Sequence, residues 1–216
     1  VSVKREIERL LEERDYQRLL EMAKSKRNVA ALLISFTYDK EKLRCWRAIE
    51  GIGLLAAEIA KTDPEEARNL AQRLLWMMRE ESGNNAWSAP EMLGEIVRNN
   101  PAEFADLVPI IVSFHDEDIF RRGVMRAILR IGEKRPDLVR PSASVAVRYL
   151  RDEDAVVRCY AVLIVGQLRL KEHEPVIRQL EGDKEEVAIY RNGDLKKVKI
   201  GEIAEEIAIL FGTKDE

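Results

Sequence analysis

The sequence predicts an all-α protein of the solenoid class, a stack of helix pairs with one small β-hairpin near the C-terminal end. Three observations carry that expectation. The strings "DEDIFRRGVMRAILRIG" (residues 116–132) and "DEDAVVRCYAVLIVGQL" (residues 152–168) repeat one pattern, with starts 36 residues apart (152 minus 116). Gly53, Gly94, Gly132 and Gly166 recur at spacings of 41, 38 and 34. Apolar residues follow the helical period through most of the chain. Helix–turn–helix units recurring at about 34–47 residues mark an α-solenoid, because one pair cannot bury its apolar stripe alone and stacked neighbours can.

The elements follow in order. The charged, amphipathic opening, residues 1–26, reads as an N-terminal helical cap. In "IEGIGLLAAEIAKT", Ile52, Leu55, Ala56 and Ile59 fall on one stripe, predicting a helix over about 41–61. Asp63, Pro64 and Glu66 form a capping box that opens the next helix. Ser88 with Glu91 reads as a second box, with Trp87 and Met92 at hydrophobic-staple spacing. Asn100 with Glu103 reads as a third. Pro109 and Pro141 fall inside helical runs, which they should bend or tighten. Asn192-Gly193 between β-branched runs predicts a hairpin pairing 187–190 with 195–198. The expected organisation is one domain over 1–216: the cap, pairs over 27–62, 63–100, 101–135 and 136–170, and a last pair over 171–216 interrupted by the hairpin at 187–198.

Composition narrows the classes. The 216 residues are 46% apolar and 35% charged, with a net charge of −3. That is a globular chain with a core, and its charge argues against a general nucleic-acid-binding surface. Plentiful Lys, Arg and Glu with scarce Gln lean toward a thermophilic source. Neither an apolar signal segment nor a membrane-length apolar run is present in the sequence, so a cytoplasmic location is expected. Cys45 and Cys159 sit in apolar helical runs and read as buried packing residues. Trp46 and Trp76 read as core for the same reason.

The stretches "LVPIIVSFHDEDIFRRGVMRAILRIG" and "SASVAVRYLRDEDAVVRCYAVLIVGQL" resemble HEAT repeats, most of all the short bacterial and archaeal HEAT-like type. One has Pro in its first helix, and both have an acidic turn (116–118 and 152–154), a following Arg (Arg122, Arg158) and a second helix ending near Gly132 or Gly166. The likeness is looser over 28–97, where Arg44 and Gly53 keep the pattern. It implies an armadillo-like superhelix and hardly touches function.

Arg122, Arg126 and Arg130 fall at i, i+4, i+8 and form a basic stripe opposite Phe120, Val124, Ile128 and Ile131. Residues 119–151 hold nine Lys or Arg against two acids. Two readings stand side by side. The stripe pairs with acids of flanking repeats, such as Glu91, Glu95 and 152–154, or it receives an acidic partner. Trp87 is either the staple on Met92 or an aromatic anchor. The expected function is a non-catalytic, protein-binding adaptor or scaffold, with a partner carrying an acidic patch. Its groove would be lined by Trp87, Glu91, Glu95, Arg122, Arg126 and Arg130. Neither cofactor, metal nor membrane is expected. His115-Asp116 and His173-Glu174 are too few for the di-iron site of the HEAT-like deoxyhypusine hydroxylases and read as exposed turn histidines. The alternative is an enzyme resembling the HEAT-like alkylpurine DNA glycosylases, with Trp87, Glu91, Arg122 and Arg126 in a basic channel.

Overall fold

The computed structural model describes residues 2–26, 28–79 and 88–212, and its chain divides into two compact units, Val1–Ile111 and Val112–Glu216. The fold class is the one expected: helices throughout, and one two-stranded hairpin before the last of them.

The first unit begins with α1 (Val3–Glu13), α2 (Tyr16–Ser25) and α3 (Val29–Ile34). It continues through α4 (Leu43–Ala60), α5 (Pro64–Arg79) and α6 (Ala89–Asn99). The longest helix, α4, is its centre, and α1, α2, α3, α5 and α6 all pack on it. Cys45, Ala48, Ile49, Ile52, Leu55 and Ala56 form its buried stripe. The chain leaves α1 through Arg14, a left-handed residue with φ 56°. Arg47 of α4 donates to the carbonyls of Leu11 (3.1 Å) and Glu12 (2.6 Å) at the end of α1, where helix carbonyls run out of partners within the helix.

Local capping signals were realised unevenly. Asp63 accepts from the Glu66 amide at 3.0 Å, as its box predicts. Ser88 does not cap α6; its hydroxyl donates instead to the Thr37 carbonyl at 2.6 Å and ties α6 to the loop before α4. Asn100 makes no side-chain cap either, and Pro101 alone starts α7 (Pro101–Phe104). Before Pro109 the chain tightens into a 3-10 turn, Ala105–Leu107, and then resumes as α8 (Val108–Val112). Proline at 109 has no N–H for the carbonyl four residues back and crowds it. Pro141 lies within a similar turn, Arg140–Ser142.

The second unit contains α9 (Asp118–Gly132), α10 (Pro136–Val139), α11 (Ala143–Arg148), α12 (Ala155–Gln167) and α13 (Glu174–Leu180). After them come β1 (Glu186–Arg191), β2 (Asp194–Lys199) and α14 (Ile200–Gly212). Helix α12 packs against α9, α11, α14 and β1. The strands extend the predicted ones by one residue at each end. Arg191 pairs with Asp194, leaving a two-residue turn at Asn192 (φ 56°) and Gly193 (φ 87°). Both central residues have positive φ, as the tight hairpin turn requires.

Three of the four recurring glycines, Gly53, Gly132 and Gly166, are points of close approach between long helices. A Cβ on Gly53 would stand 2.6 Å from both the Cβ and the carbonyl oxygen of Glu95 in α6. One on Gly132 would strike the Gln167 amide of α12, and one on Gly166 the Ile207 side chain of α14. The 34-residue step from Gly132 to Gly166 is thus the spacing of two such crossings.

Candidate functional site

The side chains singled out by sequence do not share one environment. In α9, Arg126 is buried, 2% exposed. Its Nη1 donates to the Tyr190 carbonyl at 3.2 Å, and its guanidinium lies 5.4 Å from the Tyr190 ring centre. The expectation of a solvent-facing stripe through Arg122, Arg126 and Arg130 is corrected here, because the hairpin covers the middle arginine. Arg130, half-buried, pairs with Glu133 of its own helix end. Arg122 remains exposed, and its Nε donates to Asp154.

Glu91 and Glu95 are also inside, 2% and 0% exposed. Glu91 pairs with Lys40, and Glu95 is the residue against which Gly53 packs. Neither is the open groove lining expected of it. Trp87 lies outside the described residues. Glu91 and Arg126 would need access in a DNA-repair channel, and both are enclosed.

What the fold does bring together is a laced pair of acidic turns in the second unit. Arg122 reaches forward to Asp154, while Arg148 reaches back to Asp116 at 2.9 Å. Asp154 also caps α12, accepting from the amides of Val156 (2.9 Å) and Val157 (3.4 Å). The corresponding acids before α9 do not cap it: Asp118 pairs with Arg121 at 2.6 Å instead. Arg158 repeats the theme, donating to the Asp152 and Glu153 carbonyls and to Asp183 at 2.9 Å.

Tyr149 sits at the centre of this lacing, with the guanidiniums of Arg121 and Arg148 at 5.3 and 5.5 Å from its ring centre. Its hydroxyl donates to the His115 carbonyl at 2.9 Å, and the same oxygen lies 2.8 Å from His115 Nδ1. One hydroxyl proton cannot serve both, so Nδ1 carries the proton of that second bond. Burial pushes the Tyr149 hydroxyl above its ordinary 10.0 despite the arginine beside it. His115 is therefore a half-buried structural partner rather than a bare turn histidine. Sequence reasoning missed Tyr149 altogether; its position, one residue after Arg148 and near the end of a first helix, gave no local signal.

Trp46 is buried and donates to the Lys40 carbonyl at 2.8 Å. Trp76, expected in the core, is 59% exposed. The buried stripe of α5 is Ala67, Leu70, Ala71, Leu74 and Met78, which leaves position 76 on the opposite face. Cys45 and Cys159 are buried free thiols, and burial pushes that of Cys159 up to about 12. Among the described residues no group of three or more His, Cys, Asp or Glu is placed to hold a metal ion. None of the described helices is long and apolar enough to cross a membrane.

No protein-family model matches the chain. It is 29% identical over 182 residues to an uncharacterized protein of Archaeoglobus fulgidus, covering 82% of this chain and 93% of that one. Among solved structures, an engineered protein aligns over 95% of this chain and 96% of its own, at 12% identity and a TM-score of 0.56. A designed armadillo repeat protein aligns over 97% of this chain and 92% of its own, at 16% identity and a TM-score of 0.56. The archaeal HEAT-like repeats protein of Thermococcus onnurineus NA1 aligns over 98% and 97%, at 11% identity and a TM-score of 0.46, a looser likeness that carries no weight. The fold is therefore similar to that of an armadillo repeat protein, built of helices with a β-hairpin set before the last of them.

Proposed function

We propose that the protein is a non-catalytic adaptor or scaffold that binds a protein partner bearing an acidic patch. The observation that supports this is the pair of exposed guanidiniums at consecutive turns. Arg122 and Arg148 are 58% and 59% exposed at the side chain, beside successive turns of the second unit. Each holds one intramolecular carboxylate with part of its five donors, which leaves N–H groups for a partner. Such contacts set choice of partner and encounter rate more than affinity. The binding set is therefore narrowed from the six residues read in the sequence to Arg122 and its neighbours on the turns. Glu91, Glu95 and Arg126 serve the interior.

The test is recovery of partners by the full chain and by an Arg122→Glu, Arg148→Glu variant that retains the parent unfolding free energy within ~1 kcal/mol. A partner that interacts through the turns is recovered at least about tenfold less well by the variant. Equal recovery of every partner removes the turns as the binding surface. A DNA-retention assay at low salt accompanies it, and salt-sensitive retention would count against a protein-only role.

A further inference from the structure

We infer that the outer edge of β2 is a docking strand for an acidic, extended peptide segment of a partner protein. The sheet has two strands, and β1 is the covered one: Val187, Ile189 and Tyr190 are buried, β1 packs on α12, and Arg126 takes the Tyr190 carbonyl. β2 is the open one, with Lys196, Lys197 and Lys199 exposed and Leu195 and Val198 half-buried between them.

The register fixes which backbone groups face outward. Arg191 and Asp194 close the two-residue turn as a hydrogen-bonded pair, so bonded pairs recur at Ile189–Lys196 and Val187–Val198. The alternate residues, Leu195, Lys197 and Lys199 on β2, point their amides away from β1. Two contacts bear this out. The Tyr190 carbonyl, on the alternate set of β1, is taken by Arg126, and the Leu195 amide donates to the Asp194 carboxylate at 2.9 Å. Leu195 is thus satisfied locally. Among the described residues, the Lys197 N–H and C=O have no backbone partner beyond the hairpin. They form a donor–acceptor pair of the kind an added antiparallel strand closes with two hydrogen bonds.

Charge chooses the occupant. Lysines on an edge discourage pairing with apolar or basic strands, including a second copy of β2, whose lysines would face these. The same lysines favour a strand with carboxylates at the positions opposite Lys197 and Lys199. Their present partners, Glu186 at 3.4 Å and Glu202 at 3.1 Å, form exposed pairs that an incoming carboxylate can displace at little cost. The inference deepens the adaptor reading and rests on it, but concerns a surface distinct from the Arg122 and Arg148 turns.

The experiment uses the full chain and a labelled, end-capped synthetic peptide of alternating Glu and Val, with a Lys-Val peptide as control. Binding is read by fluorescence anisotropy, and amide exchange is followed residue by residue. The acidic peptide is expected to bind, to slow exchange at Lys197 and Lys199, and to bind about tenfold more weakly to Lys197→Pro, which removes one outward N–H. Lys197→Ala keeps that N–H and is expected to bind more tightly than Lys197→Pro. Absence of acidic-peptide binding, equal binding of the Lys-Val peptide, or unchanged Lys197 and Lys199 exchange at saturation overturns the proposal. So does undiminished affinity in Lys197→Pro. The Ile189 and Lys196 amides report whether the hairpin persists in that variant. Where it does not, the exchange result on the parent chain decides. Failure here with a retained Arg122 and Arg148 effect on partner recovery rejects the strand edge and leaves the adaptor reading standing.

Discussion

Gly53 of α4 lies so near Glu95 of α6 that no side chain fits between them: a Cβ there would sit 2.6 Å from the Glu95 carbonyl oxygen. The obstacle is backbone, which cannot rotate away. Gly53→Ala is therefore expected to destabilise by at least about 1–3 kcal/mol, despite alanine's higher helix propensity. Gly132→Ala meets the end of the flexible Gln167 side chain, together with Val139, and should come out within about 1 kcal/mol of the parent. Denaturant midpoints of the two variants check the contrast, and the reverse order would show the crossings to be wrongly placed.

Asp154 has two roles, accepting from the first amides of α12 and receiving Arg122. Asp154→Ala is expected to cost about 1 kcal/mol, the usual value of a lost N-cap. A double-mutant cycle with Arg122→Ala should show coupling below about 1 kcal/mol, because that pair is partly exposed.

Tyr149→Phe removes a hydroxyl that both donates to the His115 carbonyl and accepts from its ring. The expected loss is about 1–2 kcal/mol, with most of it from the stranded His115 groups. Urea unfolding at neutral pH measures it.

Arg126→Ala strips the cover between α9 and the hairpin, and with it the bond to the Tyr190 carbonyl and the contact with the Tyr190 ring. A destabilisation of about 2–4 kcal/mol is expected, with faster amide exchange through β1 than through α4. Uniform acceleration across both would mean the hairpin is not locally held by this side chain.

Acid should weaken the protein in a defined window. Hydrogen bonds from Arg9, Lys42, Lys61 and Arg135 hold Glu6, Asp39, Glu58 and Asp137 below their ordinary values of 4.5 for Glu and 3.8 for Asp. A carboxylate with a lowered native value stabilises fully above its unfolded value and progressively less as pH falls through the native one. Thermal midpoints should therefore drop as the pH falls below about 4.5. Added salt should shrink this contribution, because Asp39 and Asp137 are exposed and Glu6 and Glu58 partly so.

Much of the fold was legible locally. Asn192-Gly193 specified its hairpin, Asp63 its cap, and Pro109 its tightened turn, because each acts on its own few residues. The glycine period was legible too, since each crossing recurs once per module. The candidate site was not. Arg126 sits on a helix face that sequence spacing leaves polar, and its cover arrives from Tyr190, 64 residues later. Glu91 meets Lys40 across 51 residues. Trp76 was recoverable: the apolar run around it looked uniform, but the stripe through Leu70, Ala71, Leu74 and Met78 already excluded it.

Arg122 reaching forward to Asp154 and Arg148 reaching back to Asp116 stitch the two acidic turns together in both directions. A nick between Arg135 and Pro136 would leave Arg122 and Asp116 on one fragment and Asp154 and Arg148 on the other. Two ion pairs would then bridge the cut, so the fragments should hold together in low salt and part more readily as salt rises.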